Sequence, residues 1–146
     1  MGIRTKRNWV IAALAAVTLM AAGMTVAHDE DWKVPDAARN LKNPIAPSPD
    51  GIATASAIYK DKCANCHGDK GVGDGPEATM YDPQPANLAD AHMMAGMTDG
   101  EIFYKITEGR KPMPGFKQQL SDEQRWQLVN FLRTLSAKPA GGKPGK

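Results

Sequence analysis

Cysteine, histidine and aromatic side chains are all scarce in this chain: two cysteines and three histidines in 146 residues, with 6% aromatics. So few rings leave little to stack on nucleic-acid bases. An excess of charge of one sign is also missing, since 18 basic and 16 acidic side chains leave a net charge of +2. That balance argues against a nucleic-acid partner, which calls for a basic patch or stripe. No internal repeat and no strand-like alternation long enough to build a sheet is present, and the length allows one small domain.

Long hydrophobic runs are lacking as well. The most apolar stretch, residues 9–22, is uncharged but shorter than the roughly 20 residues of a comfortable bilayer span. Arg4, Lys6 and Arg7 precede it, and Thr25-Val26-Ala27 follows with small side chains. This order of basic, apolar and small residues is that of a secretory signal peptide, with cleavage expected after Ala27 and a periplasmic location for the mature chain. Retention of residues 1–27 as an anchor is the alternative, and only then is a membrane a partner. No cysteine lies near the cut, so a lipid-modified terminus is not expected.

The sequence then divides into an extended, proline-rich leader (28–48), a helical domain (49–137) and a disordered Pro/Gly/Lys tail (138–146). Trp32 and Ile45 are the apolar anchors expected for the leader. Ser48-Pro49 supplies an N-cap and a first-turn proline, and Ile52, Ala55, Tyr59 and Cys63 recur at helical spacing, which predicts a helix over 49–62. Residues 67–97 are rich in Gly, Pro, Asp and Asn and read as a long loop, of the kind that is functional or folded around something. Thr98 with Glu101 and Ser121 with Gln124 are capping boxes. They open a short helix with Ile102, Phe103 and Ile106 on one face, closed by Gly109, and a final helix with Leu128, Phe131, Leu132 and Leu135 as its stripe. The fold class is therefore all-α.

Cys63-Ala64-Asn65-Cys66-His67 is the chemistry-bearing string. C-x-x-C-H is the pattern of c-type haem attachment: each thiol can add to one vinyl group of a single haem, and the adjacent imidazole can ligate its iron. A redox disulfide would require a βαβ context that is absent, and a zinc site would need two more ligands, with only His28 and His92 left among the histidines. A second axial ligand has to be a thioether or an imidazole. Met113, held between Pro112 and Pro114, is the first candidate; His92, Met93, Met94 and Met97 are the rivals. Met80, Met93, Met94 and Met97 read more simply as core gap-fillers. The glycines at 68, 71, 73 and 75 follow a helix rather than a strand, so nucleotide binding is not expected. Lys60, Lys62 and Lys70 flank the motif as solvated lysines or as a docking patch for an acidic partner.

Cys63 to His67 with the Gly71-Val72-Gly73-Asp74-Gly75-Pro76 turn, then Gly109 to Phe116 around Met113 and a last helix, resembles a bacterial class I cytochrome c over about residues 48–137. The resemblance implies a small helical domain wrapped around one covalent haem c, with Cys63 and Cys66 as attachment points and His67 and Met113 as axial ligands. It further implies a crossing of first and last helices through Ala55, Tyr59, Leu128 and Phe131. It also implies that the Pro76 carbonyl accepts the His67 ring proton.

The expected function is a periplasmic one-electron carrier that serves unidentified redox partner proteins and is not an enzyme. Two readings stand beside it: a haem enzyme or gas sensor with an open distal site, and a cytochrome subunit docked on a dehydrogenase or oxidase. Intact-mass measurement of the exported protein should place its N-terminus at His28; a mass that retains residues 1–27, found only in membranes, would make it an anchored cytochrome instead.

Overall fold

The structure, a computed structural model, describes residues 32–137. The expected signal peptide, residues 28–31 of the leader and the C-terminal tail lie outside the described residues. The described unit that begins at Lys33 is all-α. Its helices are α1 (Asp36–Arg39), α2 (Pro49–Lys62), α3 (Ala64–His67), α4 (Ala91–Ala95), α5 (Asp99–Glu108) and α6 (Asp122–Ser136), with a 3₁₀ turn at Ala78–Met80. None of the described helices is long and apolar enough to cross a membrane.

Capping side chains set where the three long helices begin. The Ser48 hydroxyl accepts from the Gly51 N–H at the start of α2. Thr98 with Glu101 and Ser121 with Gln124 form reciprocal capping boxes at α5 and α6, satisfying N–H groups that a helix start leaves without partners. Helix α5 ends at Gly109, whose φ of 66° is one that a residue with a Cβ rarely adopts.

Helices α2 and α6 are the principal packed pair. Ala55 and Tyr59 on α2 and Leu128 and Val129 on α6 are almost wholly buried, and the Tyr59 and Phe131 rings meet with centroids 5.2 Å apart, tilted by 50°. Ile102, Ile106, Phe116, Leu120, Trp126 and Leu132 extend the same core. Trp126 stacks on Phe103 of α5 at 4.0 Å, a contact whose α6 half the apolar-stripe pattern did not include.

The segment read as an extended leader contains α1 and is tied into the domain. Asn43 Nδ2 donates to Asn130 Oδ1 (2.8 Å), and Asn130 Nδ2 donates to the Ile45 carbonyl (3.0 Å). Thr98 Oγ1 donates to the Arg39 carbonyl, and Arg39 pairs at 2.9 Å with Glu101, a carboxylate that is itself buried. The backbone of α1 comes so close to α5 that a Cβ on Gly100 would lie 2.1 Å from the Ala38 carbonyl oxygen. Ile45 packs against the core as expected. Scattered prolines gave no periodic signal for this docking, which is made through polar groups and a glycine.

The stretch expected to be a long loop, 67–97, holds the 3₁₀ turn and α4. Met94 is buried in the core and Met93 and Met97 pack partly against it, as gap-filling methionines do. Met80 departs from that expectation: it is 72% exposed, because the 3₁₀ turn buries Ala78 and turns Met80 outward. Arg133 of α6 holds the α4 segment by donating to the Met94 and Met97 carbonyls and to Asp99, the last at 2.8 and 2.9 Å.

Replacing Asn130 with alanine strands the Ile45 carbonyl and leaves the Asn43 amide only its longer bond to the Trp126 carbonyl. Urea denaturation of the purified protein should show a loss of about 2 kcal/mol, the scale of a part-buried polar group left without its partner.

Candidate functional site

A helix of four residues cannot support itself by its own hydrogen bonds. In α3 the chain supplies the missing partners from the glycine-rich stretch that follows. The Ala64 carbonyl accepts from Gly68 N–H (2.8 Å), Asn65 from Glu77 (2.9 Å), Cys66 from Gly75 (3.2 Å) and His67 from Gly73 (2.8 Å). The Gly68 carbonyl accepts from the buried Tyr59 hydroxyl at 2.8 Å, so the α2–α6 crossing and the α3 turn share a side chain. Burial, then the neighbouring Cys63, Asp69 and Asp74, push the Tyr59 hydroxyl well above its usual pKa, which keeps it a donor.

Glycine is required where this backbone returns against α3. A Cβ on Gly75 would fall 2.3 Å from the Asn65 carbonyl oxygen. At Gly73, where φ is 83°, a Cβ would fall 2.4 Å from the Pro85 carbonyl oxygen. This close approach brings residues 85–86 alongside the turn, and the Gly71 carbonyl holds the next residues through Leu88 N–H at 2.6 Å. The glycines thus build a backbone cradle around α3.

His67 is half-buried, and its Nδ1 lies 3.0 Å from the Ala86 carbonyl oxygen. A carbonyl only accepts, so Nδ1 carries the proton and Nε2 keeps its lone pair. The acceptor is Ala86, not Pro76 as the resemblance implied. The cradle delivers the 85–86 backbone to the ring, and no residue type marks a backbone carbonyl in a sequence. Burial lowers the imidazole pKa, with the Ala86 bond acting the other way, a net shift that favours the neutral form, the one that can ligate a metal.

Cys63 caps α3 and Cys66 lies within it, both as free, half-buried thiols. Burial, then Cys66 and Asp61, push the Cys63 thiol up to about 12. Burial and the Glu77 carboxylate also raise Cys66, opposed by a hydrogen bond from Tyr81. Both shifts disfavour the thiolate, the nucleophilic form of cysteine.

Met113 is reached through a second backbone device. Residues 109–116 form a closed loop: Arg110 N–H donates to the Met113 carbonyl (3.0 Å), and Phe116 N–H donates back to Ile106 at the end of α5 (2.9 Å). Gly109 and Gly115 let its two ends meet, since a Cβ on Gly109 would lie 2.3 Å from the Gly115 nitrogen. Met113 is half-buried and packs against the same core cluster as Cys63. Among the rivals, Met94 lies inside the core and His92 is exposed on α4.

Among the described residues, no three His, Cys, Asp or Glu side chains converge as a metal-ion site. The donors on offer are one neutral imidazole with a free Nε2, two thiols on a single turn and a part-buried thioether. That set fits a covalently attached haem, whose iron takes imidazole and thioether as axial ligands. Its orienting partner on the imidazole is a backbone carbonyl, one of the groups that metal-bound histidines use.

Two features of this region escaped the sequence. Arg125 is almost wholly buried, and its guanidinium donates to Thr107 Oγ1 and to Asp122 while covering the Phe103 ring at 4.9 Å. Arg133 anchors α4. Both sit on the α6 helix outside its apolar stripe, where arginine ordinarily reads as solvated.

A family model described as "Cytochrome C oxidase, cbb3-type, subunit III" matches residues 50–132, from the first turn of α2 into α6 and through both backbone devices. Among curated proteins, the cytochrome bc1 complex cytochrome c subunit of Corynebacterium diphtheriae is 25% identical over 138 residues, covering 90% of this chain and 44% of that protein. The chain thus spans less than half the length of that relative. A chain of the reducing HAO-like protein complex of Kuenenia stuttgartiensis is 30% identical, with a TM-score of 0.57, and the match covers 65% of this chain and 49% of that one. The c-type cytochrome KustC0563 is 28% identical with a TM-score of 0.49, over 56% of this chain and 95% of its own. The chain belongs to the cytochrome c oxidase, cbb3-type, subunit III family, and its described part is a small, all-α, periplasmic cytochrome c-type domain homologous to bc1 and cbb3 cytochrome c subunits.

Proposed function

We propose that this chain is the electron-transfer subunit of a larger redox complex, holding one covalent haem c through Cys63 and Cys66 with His67 and Met113 as axial ligands. Membership of a family defined by an oxidase subunit carries the reading. The Corynebacterium relative is itself a subunit of a bc1 complex, and the Kuenenia relative is part of an HAO-like complex. Both favour a docked subunit over the freely diffusing carrier expected from the sequence alone. No comparable observation favours an enzyme or a gas sensor.

Haem held at this site supplies reversible one-electron exchange. The chain's own residues supply position and environment. Cys63 and Cys66 would hold the haem, each through a thioether made by adding its S–H across a vinyl group with no net oxidation or reduction. Ala86 fixes the His67 tautomer and ring direction, which leaves Nε2 for the metal. Met113 provides the soft donor that favours the ferrous state. With His67 and Met113 as its ligands the haem would leave no site for a substrate, and function would reduce to passing electrons between partners.

Replacing Cys63 and Cys66 together with serine should abolish covalent haem in the exported protein, read as loss of haem-linked absorbance on a denaturing gel. The complex itself has a separate test. Native electrophoresis of gently solubilised envelopes, stained for haem and for a tag on this chain, should show it in a species far larger than the full 146-residue chain of 15.7 kDa. Migration only at its own mass would return the assignment to a diffusing carrier.

A further inference from the structure

We propose that Arg125 is a positioning residue, whose guanidinium, donating to Thr107 and lying over Phe103, fixes the turn of α5 from which the Met113 loop is hung. The proposal rests on the reading of Met113 as axial ligand.

Stability does not account for an arginine at this position. Its side chain is 5% exposed while its carboxylate partner, Asp122, is 82% exposed, so the pair is screened on one side and desolvated on the other. Nε is buried without any hydrogen-bond partner. A leucine or methionine there would fill the same space against Phe103 without stranding a polar atom.

What an apolar side chain could not do is donate to Thr107 Oγ1. With a donor supplied from α6, the threonine's own proton is directed to the Phe103 carbonyl at 2.7 Å, and the last full turn of α5 is tied to α6. That turn accepts three backbone bonds that suspend the loop. Gly109 N–H donates to Lys105 (3.0 Å), Phe116 N–H to Ile106 (2.9 Å) and Lys117 N–H to Thr107 itself (3.2 Å). The Trp126 ring, next to Arg125 in sequence, stacks on Phe103 and closes the same corner. Any looseness in residues 105–107 is therefore passed to both ends of the loop and to Met113 between them.

A thioether held less firmly leaves the iron open for a larger fraction of the time, and an outside ligand then binds with an apparent affinity raised in proportion to that fraction. The test uses the full-length, haem-loaded protein and imidazole as the probe, with the thioether–iron charge-transfer band and the reduction potential as further readouts. Arg125→Met and Thr107→Val should each tighten imidazole binding to the ferric protein by about tenfold. Both should also weaken the band and lower the potential. Asn130→Ala, which loosens the leader, should lower the denaturation midpoint while leaving imidazole affinity at the wild-type value. If Arg125→Met yields no folded holoprotein, Thr107→Val decides alone. Wild-type imidazole affinity and potential in these variants, with only the midpoint lowered, would make Arg125 purely structural and overturn the proposal. Met113→Ala separates the two layers. High imidazole affinity there beside unchanged Arg125 and Thr107 variants removes only the positioning role, whereas wild-type affinity in Met113→Ala removes the ligand assignment and this proposal with it.

Discussion

Everything proposed for this domain depends on backbone N–H groups of residues 68–77 satisfying the carbonyls of a one-turn helix. Left alone, α3 would not persist, because the cost of ordering a first turn is repaid only by further turns or by outside partners. Here the partners are Gly68, Gly73, Gly75 and Glu77, and they come close enough only because glycines let backbone lie on backbone. The turn carries Cys63, Cys66 and His67 as a unit. The same glycines bring Ala86 to the His67 ring, so one set of contacts both builds the turn and selects the tautomer.

A second anchoring, at the far end of α5, serves Met113. Its loop is closed by Gly109 and Gly115 and tied to α5 through main-chain bonds, while α5 is tied to α6 through Arg125, Thr107 and the Phe103–Trp126 stack. The α2–α6 crossing links the two devices: Tyr59 contacts Phe131 across it and donates to Gly68 beside α3. Imidazole side and thioether side are thus both built from α6 outward. An electron-transfer site gains from such rigidity because little has to move when the charge changes.

The long helices were legible in the sequence because their signals are local. Ser48-Pro49 and the two capping boxes mark starts, Gly109 marks an end, and apolar spacing marks faces, so α2, α5 and α6 fall where the residues put them. Cys63, Cys66 and His67 were legible for the same reason, as a contiguous motif whose chemistry follows from residue type. What stayed hidden was non-local or carried by the backbone. The docking of residues 36–45 uses Asn130, Glu101 and the bare Cα of Gly100, all far away in sequence. Ala86 acts through a carbonyl that every residue has. Arg125 and Arg133 look like ordinary charges on an amphipathic helix until α5 and α4 are placed beside them.

The central claim is that a haem is attached at α3 and that the protein fills both its axial positions, with His67 on one side and Met113 on the other. The most direct measurement is the reduced-minus-oxidised absorption spectrum of the purified protein, repeated under carbon monoxide. This account predicts the sharp visible bands of a low-spin c-type haem, unchanged by the gas near neutral pH. Immediate uptake of carbon monoxide by the ferrous protein, or a spectrum without haem, would contradict it.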